Sequence, residues 1–242
     1  MKILHIDASG RPGLGGLPPH GPYGSYSRRL SGHFISRWLA HLPDTEVEYR
    51  DLGSTAPKPV DHAWISAVFS RSEPTAAQRA AMAESDLLID ELLWADMLVI
   101  GTPMYNFGMP ANLKAWVDNI VRVRRTLLDD PAPADPRHPF IPVFQDRPFP
   151  VVLLSARGDH GMDPGGEFEH INHLEPNVRT ALGFIGIDDI HAIAVEHTAE
   201  GGQALEQSLA SALRRTELLA DELLARHRLT AQAPTALAEA VS

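Results

Sequence analysis

The chain contains no cysteine. That excludes disulfide scaffolds, thiolate metal sites, thiol nucleophiles and cysteine-ligated iron–sulfur clusters together. Positive charge is also scarce: 21 Lys and Arg stand against 31 Asp and Glu, for a formal net charge of -10. Nucleic acids and anionic membranes are gripped by cationic surfaces, so neither is an expected partner. A phosphorylated small molecule stays open, because backbone N–H groups and hydroxyls hold phosphate without Lys or Arg. No apolar run approaches the ~18 residues of a membrane helix. The opening MKILHIDAS is too briefly apolar for a signal peptide and reads as a short buried strand, so a cytoplasmic protein is expected. Two phosphate signatures are missing as well. There is no G-x-x-x-x-G-K-[ST], and no G-x-G-x-x-G follows the first strand, which argues against a P-loop and against a dinucleotide-binding Rossmann unit.

What is present is ordinary for a globular chain: 242 residues, 44% hydrophobic and 21% charged. Five short segments have strand character: Lys2–Ala8, Val47–Leu52, Met97–Thr102, Pro150–Ser155 and His191–Val195. Most are continuously apolar, the pattern of parallel strands covered on both faces. Helical spacing fills the gaps. Leu30, Phe34, Trp38 and Leu42 form one stripe, and Thr75-Ala-Ala-Gln78 looks like a capping box for a helix reaching about Asp96. Leu113, Trp116, Val117, Ile120 and Val121 form another face, with Pro110 near the first turn. Ile171, Leu174, Val178 and Leu182 repeat the pattern, as do Leu205, Leu209, Leu213, Leu219 and Leu223. Alternation of this kind predicts right-handed βαβ crossovers in an α/β, doubly wound parallel sheet with helices on both faces. One domain is expected over 1–226, with a weakly patterned tail at 227–242. Gly10–Gly24, rich in Pro and Gly, and Asp129–Pro150, rich in Pro, interrupt the alternation as long loops.

In open α/β sheets ligands bind beyond the carboxyl ends of the strands, where the strand order reverses. Three clusters fall there. Ser9 ends the first strand, and Ser25-Tyr26-Ser27 opens the first helix. A phosphate at that helix start would meet free N–H groups, the positive end of the helix dipole and several hydroxyls. The second cluster is Met104-Tyr105-Asn106-Phe107, a wall and edge suited to a flat, partly polar ring such as isoalloxazine, with the Asn106 amide able to donate and accept. The third is Ala156-Arg157-Gly158-Asp159, where a glycine lets backbone approach a ring. Plainer roles fit the same residues: Ser27 as an N-cap, the aromatics as core under a loop, the glycine as a turn former.

Taken together, Ser9, Ser25–Ser27, Met104–Phe107 and Ala156–Asp159 resemble, in order and place, the FMN-binding segments of the FMN-dependent NADH:azoreductases, which also reduce quinones. The stretch LGFIGI (Leu182–Ile187) is similar to that family too. The resemblance implies a flavodoxin-like five-stranded sheet of order 2-1-3-4-5 and a homodimer with FMN near the subunit interface. It also implies hydride transfer from NADH or NADPH through FMN to a quinone or azo acceptor by a ping-pong mechanism. Phosphate falls to Ser9 and Ser25–Ser27, the ring to Met104–Phe107 and Ala156–Asp159, with Asn106 and Gly158 as donors at the flavin edge and no side chain named as general acid.

The chain departs from that family at three places. Gly10–Gly24 is long, Asp159 stands where a second glycine is usual, and the insertion Pro131–Phe149 is expected to border the acceptor pocket. A carboxylate near the ring would disfavour the anionic reduced flavin and lower its potential. Two rival functions are a flavodoxin-like electron carrier and, less favoured, a metal-dependent hydrolase built on Asp159, His160, Glu169, His170 and His173. No metal is assigned.

Overall fold

The structure, a computed structural model, describes residues 1–12, 24–70, 72–137 and 139–232. Its elements are β1 (Lys2–Asp7), α1 (Tyr26–His41), β2 (Glu46–Asp51), α2 (His62–Val68), α3 (Ala76–Trp94), β3 (Met97–Pro103), α4 (Ala111–Ile120), β4 (Leu127–Asp129), β5 (Phe140–Pro142), β6 (Val151–Ala156), α5 (Glu175–Phe184), β7 (Ile190–Val195) and α6 (Gly202–Gln232). A single 3₁₀ turn (Glu169–Ile171) precedes α5.

The five expected strands form one parallel sheet in the order β2-β1-β3-β6-β7. With the small β4–β5 hairpin set aside, this is the 2-1-3-4-5 order. The continuous apolar runs of β3 and β6 follow from cover on both faces. Leu98, Ile100, Val151 and Leu153 point to a cluster with Leu88 and Leu92 of α3, Trp116 of α4 and Leu182 of α5. Their neighbours Met97, Val99, Val152 and Leu154 point the other way, to Leu30, Phe34 and Trp38 of α1 and Leu219 and Leu223 of α6. Successive side chains of a strand alternate faces, so each run feeds both layers. β2, at the sheet edge, reads EVEYRD and stays mostly half-buried or exposed.

The capping box at α3 is present, with Thr75 Oγ1 accepting from Gln78 N–H at 3.2 Å and Gln78 Oε1 accepting from Thr75 N–H at 2.9 Å. Several features go beyond or differ from expectation. α2 was not anticipated; Asp61 starts it by accepting from Trp64 N–H at 2.8 Å. Ile171 lies in the 3₁₀ turn rather than in α5, which begins at Glu175 with Pro176 in its first turn. Of the insertion Pro131–Phe149, the stretch from Phe144 to Phe149 packs at the amino ends of the strands. α4 returns the chain to the amino ends of the strands, where Arg147 donates to Leu93 C=O and Ala95 C=O, just ahead of β3. Phe144 and Phe149 are buried there in the core. α6 runs beyond residue 226 to Gln232 and is tied to α1 by Arg37–Asp221 and His33–Glu217. The expected tail from 233 onward and most of the Gly10–Gly24 loop lie outside the described residues.

Candidate functional site

β1 has β2 on one side and β3 on the other, so the crossovers from β1 and β3 depart in opposite directions. At the carboxyl ends of β1, β3 and β6 this leaves a cavity of about 210 Å³.

Its polar side is built by the end of β1 and the start of α1. Ser9, Ser25 and Ser27 all line it and are all buried. Ser25 is the N-cap of α1, its hydroxyl accepting from Arg28 N–H at 3.3 Å. Ser27 is therefore not the cap; its hydroxyl lies 3.2 Å from that of Ser25. Ser9 Oγ accepts from Arg11 N–H at 3.1 Å, and Arg11 itself lines the cavity as its cation. Hydroxyls and a helix N-terminus thus meet on one side of the cavity, with Arg11 among the lining residues, a combination that favours an anion.

Beneath this side lies a buried ionic network. Arg28 donates to Ser9 C=O at 2.7 Å, to Asp51 Oδ1 at 2.5 Å and to Tyr49 Oη at 2.8 Å, and stands 3.7 Å from Asp7. Burial lowers the Arg28 pKa, but the hydrogen bond to Asp51 and the charge of Asp7 outweigh it and hold the guanidinium above its ordinary value. Burial pushes Asp51 up, and hydrogen bonds from Arg28 and Ser54 outweigh that and keep it below the ordinary carboxylate value. Burial and the Asp7 charge push the Tyr49 phenol up. Gly53 makes the arrangement possible: a Cβ there would collide with Ser9 C=O and with the Arg28 guanidinium.

The apolar side comes from the segment after β3. Pro103, Met104 and Tyr105 line the cavity, and Met104 N–H donates to Ala156 C=O at 2.8 Å, joining the ends of β3 and β6. The chain then reverses in a tight turn, with Tyr105 and Gly108 exchanging two backbone hydrogen bonds of 3.1 Å. Both central residues are left-handed, Asn106 at φ 46° and Phe107 at φ 68°. That is the type I′ pattern, which ordinarily takes Asn-Gly. A phenylalanine in this region costs roughly 1–2 kcal/mol, held in place partly by His173 N–H donating to Phe107 C=O at 2.8 Å. The turn presents Asn106 and Phe107 outward, and Tyr105 and Phe107 are both exposed.

The third side carries Ala156 and Gly158, with Thr198 and Ala199 from the segment after β7. Arg157 lies between them but faces away. Its guanidinium donates to Glu175 and Asp163 at 2.8 Å each and to Glu196 at 3.1 Å. Burial lowers its pKa, and the charges and hydrogen bonds of Glu175 and Asp163 outweigh this and raise it. Asp159 is exposed beside His160.

Residues 1–219 match the family described as having a flavodoxin-like fold. An FMN-dependent NADH:quinone oxidoreductase of Colwellia psychrerythraea is 37% identical over 225 residues, covering 93% of this chain and 100% of that protein. One from Opitutus terrae is 40% identical over 202 residues, covering 83% of this chain and 92% of its own. The chain belongs to the FMN-dependent NADH:quinone oxidoreductase family. Its fold is also that of an FMN-dependent NADH-azoreductase from Bacillus anthracis solved in complex with FMN, with a TM-score of 0.74 at 18% identity over 92% of this chain and 99% of that one.

Of the positions expected from this oxidoreductase family, Ser9, Ser25, Tyr26, Ser27, Met104, Tyr105, Ala156 and Gly158 line the cavity. Asn106, Phe107, Arg157 and Asp159 do not: the first two sit at the tip of the turn, the third is bound to carboxylates, the fourth is outside. The cavity adds Arg11, Gly24, Pro103, Thr198 and Ala199. The last two had a usable signal, since the segment after the fifth strand reaches the same sheet edge as the others.

Proposed function

We propose that this chain is an FMN-dependent oxidoreductase that passes a hydride from NADH or NADPH to quinones or azo compounds by a ping-pong mechanism. The observation that carries the proposal is the cavity at the switch point. Three buried hydroxyls and a helix N-terminus meet an apolar wall there, within one site. The residues fit FMN at both ends: Ser9, Ser25, Ser27 and Arg11 toward the phosphate, and Met104, Tyr105, Ala156 and Gly158 toward the ring. Bound FMN would supply the two-electron chemistry, accepting hydride from the nicotinamide and passing it on to the acceptor.

The chain's own part is to bind and orient. The hydroxyls and the first N–H groups of α1 would hold the phosphate, and the strand ends would carry the residues that flank the ring. Asn106, at the tip of the turn, and the Gly158 N–H are proposed to donate to charge at the flavin edge. At about 210 Å³ the cavity is smaller than the ~300–1,000 Å³ of a complete small-ligand site. Tyr105 and Phe107 stand exposed beside it, which supports a homodimer whose second copy completes the ring end. Among the described residues no helix is long and apolar enough to cross a membrane. Dependence on nicotinamide nucleotides fits a cytoplasmic enzyme.

The test is the visible spectrum of purified protein after FMN is added and the excess removed. A retained flavin spectrum, bleached anaerobically by NADH and restored by a quinone, is expected. Protein that stays colourless with excess FMN refutes the proposal. Parallel lines in initial-rate plots at varied quinone would mark the ping-pong order.

A further inference from the structure

Two histidines from different loops meet just outside the cavity. His160, after β6, and His197, after β7, stack with ring centroids 4.6 Å apart and planes 14° from parallel. Glu200 spans both, Oε2 lying 3.0 Å from His197 Nδ1 and Oε1 3.6 Å from His160 Nδ1. Asp159 Oδ1 is 2.9 Å from the same His160 nitrogen. One donor atom each from His160, His197 and Glu200 falls within 4.8 Å of the other two. Of the residues the sequence grouped for a metal, Asp159 and His160 stand here, whereas Glu169, His170 and His173 do not belong to this group.

The backbone holds the cluster together before any ligand arrives. His197 N–H donates to Asp159 C=O at 3.3 Å, Ala199 N–H to Gly158 C=O at 3.1 Å, and Gly201 N–H to His197 C=O at 2.9 Å. His197 is itself left-handed, at φ 62°, a conformation uncommon for residues other than glycine. Two loops are thus laced so that two imidazoles and a carboxylate face one another.

We propose that His160, His197 and Glu200 form a binding site for a divalent transition-metal ion of the Zn²⁺ type. Imidazole donors select such ions over Mg²⁺ and Ca²⁺, which prefer oxygen alone. Three protein ligands leave a fourth position for water or for Asp159. On binding, each ring would offer an Nδ1 lone pair to the ion and carry its N–H on Nε2. The ion would join the loop that carries Gly158 to the loop that carries Thr198 and Ala199, behind one wall of the cavity.

The experiment is a Zn²⁺ titration of the full chain without flavin, read by competition with a chromogenic chelator. One equivalent is expected to bind. His160→Ala, Glu200→Gln and His197→Asn should each weaken it by at least about tenfold; Asn is chosen because it tolerates the left-handed backbone. His170→Ala should bind like the parent. Zn²⁺ should also raise the melting temperature of the parent but not that of the His160→Ala/His197→Asn double variant. Metal-free melts of each variant separate lost ligands from lost fold. Absence of stoichiometric binding, or binding undiminished in the double variant, overturns the site and leaves only a hydrogen-bonded clamp between two loops. Because flavin is absent, this result stands apart from that of the proposed function.

Discussion

Arg28 and Arg157 are 3% and 2% exposed, lie under opposite sides of the cavity, and neither guanidinium lines it. Arg28 reaches the site through its side chain: the guanidinium bonds Ser9 C=O and so sets where the Ser9 hydroxyl stands. Arg157 serves the site only through its backbone, its N–H donating to Val195 C=O while its C=O accepts from the Thr198 N–H and hydroxyl. Its guanidinium is committed to Glu175, Asp163 and Glu196 on the far side. A buried cation near a ligand site is therefore not evidence of a ligand contact. Among the described lining residues the cation is Arg11, on the loop after β1.

The sharpest way to break this contrast is to neutralise each arginine in turn. Arg28→Met and Arg157→Met both strand buried carboxylates, and each should cost about 3–5 kcal/mol in urea unfolding. They should differ in flavin binding. Arg28→Met should erode the preference for FMN over riboflavin, which lacks the phosphate, whereas Arg157→Met should preserve it. A selective loss of FMN in the Arg157 variant would reverse the assignment.

Removing the hydroxyls comes next in size. Hydrogen bonds to a charged partner are worth about 1.5–3 kcal/mol, so Ser25→Ala/Ser27→Ala should weaken FMN by at least tenfold and leave riboflavin nearly unaffected. Loss of the Ser25 cap adds about 1 kcal/mol of instability, which a melt reads separately.

Asp51 tests the Arg28 side by pH. Its folded-state pKa lies below the ordinary 3.8, so its stabilisation is fully present above that value and is lost as pH falls through the folded-state pKa. Asp51→Asn should therefore melt below the parent at neutral pH, with the gap closing once the pH drops beneath 3.8. A gap that persists in strong acid would mean the carboxylate charge is not what Arg28 uses.

The smallest effect should come from the strained turn. Phe107→Gly relieves the left-handed cost and should stabilise the fold by up to about 1 kcal/mol, while lowering kcat/KM for quinone. Stabilisation with unchanged turnover would mean that the exposed ring plays no part in catalysis.

The sheet was legible because β3 and β6 are covered on both faces, which forces runs such as MLVIG and VVLLSA. α2 and the β4–β5 hairpin were not: seven residues span about two helical turns, and three-residue strands carry no period. Within the site, Ser9 and Ser25 were legible from position alone, one at a strand end and one at a helix start. The fate of Arg157 depends on Glu175 and Glu196, 18 and 39 residues away, a distance no local pattern spans. The left-handed turn was hidden for a different reason. Phe is an unusual choice there, and its local preference gives no hint of the tertiary contacts that hold it.

Gly53 has a bearing on how this protein would be engineered. It sits in the segment after β2, does not itself line the cavity, and would be left fixed by any library that randomises the lining alone. Yet the smallest side chain at that position would push Arg28 and Ser9 apart. A screen for altered cofactor choice would see such a variant as a failed pocket with every pocket residue intact. Position 53 is thus a silent veto on the anion side of the site, and libraries should hold it constant by intent.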